Sequence, residues 1–124
     1  VQGFFRGQAG GGFLAGRDPI RALDTRLGGG PLIGGTSRQL TPAKLGVPAN
    51  STAVLVNVTA INPVGKGYVT VYPCGTAVPT TSVLNYTAQV TRANLVASKL
   101  GTGGLCVYSN VTTHLAVDTF GWFR

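Results

Sequence analysis

Acidic residues are almost absent from this sequence, whose 124 residues include three aspartates, no glutamate and ten lysines and arginines, for a net charge of +7. A site of the glycosidase kind needs two facing carboxylates, and of the three aspartates Asp24 and Asp118 could meet in space. Each of these two lies in an Asp-Thr pair within apolar sequence, and arginines flank Asp24. We therefore predict no catalytic residues and a protein that is not an enzyme.

Metal ligands and nucleophile motifs are equally scarce. His114 is the single histidine, and with two cysteines the chain falls short of the four ligands of a closed zinc site. The sequence contains no Gly-x-Ser-x-Gly motif, and no phosphate-binding loop that ends in Gly-Lys-Ser/Thr. We predict no metal and no cofactor.

Long apolar runs are missing too, and none approaches the roughly 18 residues that cross a bilayer. We predict no transmembrane segment. Methionine is absent, so Val1 is not an initiator, and we expect that a leader has been removed or that the chain is part of a longer protein. The basic residues are dispersed and carry no nucleic-acid-binding motif. Their charge therefore favours an anionic cell-wall polymer or surface over nucleic acid as a partner.

The residues that are present indicate an all-β protein. Hydrophobic residues make up 44% of the chain, and 19 glycines separate short β-rich runs. "TAVLVNVTAI" places Val54, Val56 and Val58 on one face, as expected for a half-buried strand. We predict an antiparallel β-sandwich or jelly-roll-like domain over residues 17–124. We also predict that "GYVTVYPC" pairs with this strand as a hairpin, and that residues 27–51 form an irregular connection.

The first sixteen residues differ from the rest, because apolar side chains are embedded in glycine. We predict an extended arm over residues 1–16. Its large side chains are costly to expose, at roughly 1.5–3 kcal/mol each. The echo between "GFFR" near the start and "GWFR" at the end indicates that the two segments occupy equivalent strand positions. The arm is then either a linker within a tandem array or a strand that fits the domain's own edge or that of a neighbouring copy, and we predict packing against a neighbouring copy. The predicted assembly residues are Val1, Gly3, Phe4, Phe5, Phe13 and Leu14.

The two cysteines both lie in or beside strand-like runs. An even count without a Cys-x-x-Cys motif favours a disulfide between Cys74 and Cys106, which implies an oxidising compartment. The alternative is two buried thiols in a reducing compartment.

"DPIRALDTR", residues 18–26, holds two of the three acids next to two arginines. Carboxylates so placed are commonly held by guanidinium groups and backbone N–H groups. We predict a structural ion-pair cluster rather than a catalytic site. Its members are Asp18, Arg21, Asp24, Arg26 and Asp118.

Two surface features offer binding hypotheses. Tyr68 and Tyr72 share a strand face with Thr70 and could stack on sugar rings, although packing in a core or an interface is the alternative. Asn50 begins an Asn-x-Ser/Thr sequon in a loop, which makes it a candidate glycan site, with side-chain hydrogen bonding as the alternative.

Several blocks of the chain bear a family resemblance. "PIRALDTR" resembles the Arg-Leu-Leu-Asp-Thr-Arg signature of a β-rich domain in secreted and surface proteins of actinobacteria and some other bacteria, with Ala22 where leucine is usual. The resemblance continues in order through "AVLVNVTAINPVGKGYVTVYPCG", "PTTSVLNYTAQVTRANLVASKLG" and "GGLCVYSNVTTHLAVDTFGWF", and so covers residues 17–124. In this family the domain often repeats in tandem, and each unit closes on a Val-Asp-x-x-Gly-aromatic-Phe pattern like "VDTFGWF". The resemblance implies secretion and a surface role, and implies no catalytic residue.

Together these observations give two functional hypotheses. The first is a secreted, extracellular or cell-surface structural subunit that self-assembles into a filament or surface array through its N-terminal arm. The alternative is a module that binds carbohydrate or cell wall.

Overall fold

The structure is a computed structural model that describes residues 13–14 and 18–124. The predicted contacts of Val1, Gly3, Phe4 and Phe5 lie outside the described residues. For Phe13 and Leu14 the structure describes strand pairing of the backbone.

The described residues form nine strands and one short helix. The elements are β1 (Phe13–Leu14), β2 (Ile20–Asp24), β3 (Thr36–Leu40), α1 (Pro42–Leu45), β4 (Ala53–Ile61), β5 (Gly67–Pro73), β6 (Leu84–Tyr86), β7 (Arg92–Lys99), β8 (Leu105–Ser109) and β9 (His114–Phe123).

These strands make two antiparallel sheets that pack face to face. In the five-stranded sheet β1 and β2 both pair with β9, which pairs with β4, and β4 pairs with β7. The order in the four-stranded sheet is β3-β8-β5-β6. The predicted all-β sandwich is therefore confirmed.

The core lies between the inner faces of the two sheets. Along β4 the side chains alternate between buried and half-buried, and Val54, Val56 and Val58 are completely buried as predicted. The opposite sheet contributes Val69 and Val107, which belong to the same apolar cluster. Since burying a valine or leucine stabilises a fold by roughly 1.5–3 kcal/mol, these inner faces hold the sandwich together.

The predicted hairpin between β4 and β5 is wrong. β4 pairs with β7 and β9, whereas β5 pairs with β6 and β8, so the two strands belong to different sheets. The connection between them crosses from one sheet to the other, and Asn62 turns the chain with a φ of 49°. Because both strands bury apolar side chains, their patterns fit a sandwich equally well in either arrangement.

The prediction of an irregular connection over 27–51 is also wrong in part, because β3 and α1 lie within it. β3 is an edge strand in which Leu40 alone is fully buried, so it lacks the apolar alternation that marks β4. The single turn of α1 has clear end signals. The hydroxyl of Thr41 accepts a hydrogen bond from the N–H of Lys44 at 3.3 Å, and Gly46 ends the turn with a φ of 74°.

Candidate functional site

Four charged side chains meet where β2 lies against β9, and we call them the aspartate–arginine cluster: Arg21, Asp24, Arg26 and Asp118. Asp24 accepts hydrogen bonds from the backbone N–H, Nε and Nη2 of Arg26, at 3.1, 2.9 and 2.8 Å. It accepts another from Nη1 of Arg21 at 2.8 Å, and Arg21 also donates from Nε and Nη2 to Asp118. The cluster thus joins the last residue of β2 to the middle of β9.

A bulge in β2 makes this arrangement possible. Residues three apart point to opposite faces of a regular strand, so Arg21 and Asp24 would normally be separated. The register shifts between Arg21 and Leu23, and the extra residue restores both side chains to one face. Arg21 then lies directly opposite Asp118 on β9.

The electrostatics of the cluster are those of a structural ion pair. The hydrogen bonds and charge of Arg26, with the nearby charge of Arg21, hold the pKa of Asp24 well below its usual range. Asp118 raises the pKa of Arg21, and Asp24 raises that of Arg26. A carboxylate held ionised in this way is a poor general acid. Asp18, the fifth predicted member, is exposed and takes part in none of the three ion pairs among the described residues.

Thr25, between Asp24 and Arg26, is a residue that sequence reasoning missed. It is buried, and its backbone N–H donates to the carbonyl of Leu115 at 3.0 Å. Its hydroxyl accepts from the N–H of Leu115 at 2.9 Å and lies 2.8 Å from Nδ1 of His114. Thr25 therefore continues the β2–β9 contact by one residue beyond the strand. The sequence feature that could have predicted this role is a small hydroxyl-bearing residue directly after a strand.

The predicted disulfide between Cys74 and Cys106 is confirmed. Cys74 follows the end of β5 and Cys106 lies on the adjacent strand β8, with 5.1 Å between their Cα atoms. The bond closes a loop across 32 positions of the sequence and ties two central strands of the four-stranded sheet.

The predicted sugar-stacking tyrosines differ in exposure. Tyr72 is 7% exposed, and its hydroxyl lies 2.6 Å from that of Ser37. Tyr72 therefore offers little surface to a ligand. Tyr68 is half-buried and pairs with Tyr108 on β8, with 6.2 Å between ring centroids. The surface available for stacking belongs to Tyr68 and Tyr108.

A second group of polar side chains surrounds an open cleft of about 340 Å³, which we call the basic cleft. Its lining residues are Lys66, Gly67, Asn85, Tyr86, Thr87 and Arg92. The strands β5, β6 and β7 and the segments beside them supply these residues. Asn85 lies directly opposite Tyr68 in the β5–β6 ladder, so the cleft adjoins the tyrosine pair. No motif marks the cleft, because Lys66 lies in the connection before β5 and Arg92 is the first residue of β7, far apart in the sequence.

The five-stranded sheet ends at β7. Within the described residues β7 forms a ladder with β4 on one side, and six of its eight residues are exposed. Leu95 is the largest apolar side chain on the strand and is 48% exposed.

The remaining predicted features have simple positions. Asn50 is exposed in the loop before β4. In the described part of the chain, no three metal-binding side chains come together as a candidate metal site. Over the same residues, none of the helical structure is long and apolar enough to cross a membrane.

Comparison with known proteins identifies no matching protein family, no similar protein among the curated proteins and no similar solved structure.

Proposed function

We propose that this protein is a non-enzymatic structural subunit that associates with copies of itself by strand addition. In this proposal the N-terminal arm of one copy pairs with the β7 edge of the next. The observation that carries the proposal is the edge of β7 away from β4, which forms no ladder with any described residue, on a strand whose side chains are mostly exposed.

The composition of β7 supports this reading. Edge strands are commonly protected against pairing by proline, by charges or by short length. β7 is eight residues long, contains no proline, and places its cations, Arg92 and Lys99, at its two ends. The uncharged centre of the strand, 93–98, can accept the backbone of another chain.

The position of β1 supports the choice of the arm as the added strand. β1 pairs with Trp122 and Phe123 at the end of β9, and so lies at the side of the five-stranded sheet opposite to β7. Residues 1–12 precede β1 and, fully extended, could span about 40 Å. An arm that starts at one edge and binds the other edge of a neighbour makes a head-to-tail contact. Contacts of this kind build open filaments unless rotation closes a ring.

The energetics favour pairing over exposure of the arm. Phe4 and Phe5 each gain roughly 1.5–3 kcal/mol when they leave water. Ordering a glycine-rich arm opposes this gain by about 1–2 kcal/mol for every residue fixed. Backbone hydrogen bonds to a preformed strand, together with side-chain contacts beside Leu95, would offset that cost.

A secreted or surface location fits the same proposal. A disulfide persists in oxidising compartments, and the Cys74–Cys106 bond is consistent with one. The resemblance of "PIRALDTR" and the later blocks to a domain of secreted bacterial proteins points the same way.

The test is removal of residues 1–12, followed by sedimentation velocity and electron microscopy. We expect the full chain to form oligomers or filaments and the deletion variant to be a folded monomer. Adding the peptide of residues 1–12 to the deletion variant should restore occupancy of the β7 edge, seen as protection of β7 amides from hydrogen exchange.

The matched control compares two arm variants with the same number of substitutions. Phe4→Ser/Phe5→Ser should prevent assembly, whereas Gln2→Ser/Gln8→Ser should leave it intact. Assembly that continues after the deletion, or a full chain that stays monomeric at high concentration, would overturn the proposal.

A further inference from the structure

We infer that the basic cleft binds an acidic glycan, meaning a sugar chain that carries carboxylate or phosphate groups. This inference does not rest on self-association, because the pairing surface proposed above is the uncharged centre of β7, 93–98, whereas the cleft uses Arg92 at the end of that strand.

Four side chains of the cleft, those of Lys66, Asn85, Thr87 and Arg92, carry hydrogen-bond donors that are not donated to any described residue. Lys66 and Arg92 are exposed and form no ion pair with any described residue. The Oδ1 atom of Asn85 accepts from the hydroxyl of Ser82 at 3.1 Å, which leaves the Asn85 amide hydrogens directed elsewhere. Thr87 adds an exposed hydroxyl. Donors of this kind, two of them positively charged, match carboxylate and phosphate oxygens.

Carboxylates of the protein do not compete for these donors. The chain has three acidic residues. Asp24 and Asp118 are occupied in the aspartate–arginine cluster. Asp18 precedes β2, and β2 lies on the side of the five-stranded sheet away from β7. An anion in the cleft would therefore meet positive charge without nearby repulsion.

The floor of the cleft is held rigidly by Tyr86. This residue is 2% exposed, and its hydroxyl lies 2.6 Å from that of Ser109 and donates to the carbonyl of Val111 at 3.1 Å. Burial raises the pKa of this hydroxyl, so it stays neutral at physiological pH. Gly67 allows the close approach, because a Cβ atom there would lie 2.7 Å from the Tyr86 hydroxyl. The floor of the cleft is thus formed before any ligand binds, which lowers the entropic cost of binding.

The surroundings favour a glycan over nucleic acid. Asn85 connects the cleft to the half-buried pair of Tyr68 and Tyr108, whose tilted rings can contact the apolar face of a sugar. Nucleic-acid binding usually draws on many phosphate contacts, whereas this cleft offers the charges of Lys66 and Arg92. An acidic sugar with one anionic group per unit fits the two cations and the neighbouring aromatic surface.

The experiment measures binding of the full chain by isothermal titration calorimetry to four polymers. Polygalacturonate carries carboxylates, poly(glycerol phosphate) carries phosphates, dextran is neutral, and oligo-dT represents single-stranded nucleic acid. We expect binding to one or both of the first two. A preference between them identifies the anionic group, and binding to both identifies the shared charge.

Two variants with the same loss of charge separate the cleft from the overall charge of +7. Lys66→Gln/Arg92→Gln should weaken polymer binding by at least about tenfold, because it removes two charge-assisted contacts. Lys44→Gln/Arg124→Gln changes exposed residues that do not line the cleft and should retain binding. Both variants should melt like the parent.

Three results would overturn the inference. The first is no binding to either acidic polymer, and the second is equal weakening in the two variants, which would indicate non-specific attraction. The third is tighter binding of oligo-dT than of both acidic polymers, which would assign the cleft to nucleic acid.

Discussion

The aspartate–arginine cluster and the basic cleft each bring two cations together, but the cluster pairs them with carboxylates and the cleft surrounds them with uncharged residues. In the cluster, Arg21 and Arg26 share the carboxylate of Asp24, and Arg21 also reaches Asp118. In the cleft, Lys66 and Arg92 share the lining with the uncharged residues Gly67, Asn85, Tyr86 and Thr87. The chain has three acidic residues, and two of them pair with arginines in the cluster. Lys66 and Arg92 in the cleft are therefore left without a carboxylate partner among the described residues. The position of the acids thus separates cations that hold the fold from cations that remain available to a ligand.

The two places also depend on different supports. The cluster and Thr25 fasten β2 to β9 in the five-stranded sheet. Apart from Arg92 on β7, the cleft is built on β5, β6 and the segments beside them in the four-stranded sheet, where the disulfide ties the end of β5 to β8. Disrupting one support should leave the other region comparatively intact, and this expectation can be tested.

The largest effect is expected from Cys74→Ser/Cys106→Ser. Opening the 32-position loop increases the entropy of the unfolded chain and should lower the free energy of unfolding by about 3–4 kcal/mol. Urea denaturation measures the change, and hydrogen exchange locates it, with protection lost from β5 and β8 before β2 and β9. Reducing the parent protein should reproduce the result. An unchanged urea midpoint of the parent protein after addition of the reductant would contradict this prediction.

Thr25→Val should have the next largest effect. The substitution removes the acceptor of the buried Leu115 N–H, which should cost about 1–3 kcal/mol of stability. Thr87→Val is the matched control in the basic cleft, where the side chain is exposed and its hydroxyl bonds to no described residue, and its change should stay within about 0.5 kcal/mol. Equal melting of the two variants would show that the β2–β9 contact does not depend on Thr25.

Asp24→Asn should have a smaller effect that depends on pH. The pKa of Asp24 is lowered in the folded state, so its stabilising contribution is complete above the unfolded value of about 3.9 and is lost as the pH falls below it. At pH 7 the variant should melt several degrees below the parent, and the two should converge in acid.

Lys66→Gln provides the control for this pH series. This substitution leaves every carboxylate of the chain in place, so the difference in melting temperature between this variant and the parent should not follow the pH dependence seen with Asp24→Asn. A gap between parent and Asp24→Asn that stays constant from pH 7 to pH 2 would contradict the assigned role of the carboxylate.

The sequence predicts the core strand β4 and much of the aspartate–arginine cluster, but little of the basic cleft. Alternation along β4 identifies Val54, Val56 and Val58 as core residues, because burial on one side of a strand leaves a period of two. It cannot identify the strands that flank β4, since partner choice depends on packing between distant segments. Arg21, Asp24 and Arg26 are close in sequence, so their interaction is visible as a local motif.

The basic cleft is not visible in this way. Lys66 and Arg92 lie in or beside connections that become neighbours when β5, β6 and β7 come together at one end of the sandwich. Their lack of acidic partners is a property of the folded surface. In the sequence Gly67 looks like any turn glycine. The structure shows that a Cβ atom at this position would collide with the hydroxyl of Tyr86.

The disulfide affects what a single proteolytic cut does to the protein. The exposed stretches 75–78 and 87–95 both lie between the two bonded cysteines. A single cut in either stretch would leave two polypeptide pieces that are still covalently joined through Cys74 and Cys106. Each piece would also keep its ladder partners in the sandwich, because β4 and β5 lie on one side of such a cut and β8 and β9 on the other. In a medium rich in secreted proteases, one nick would therefore break the chain without releasing a fragment.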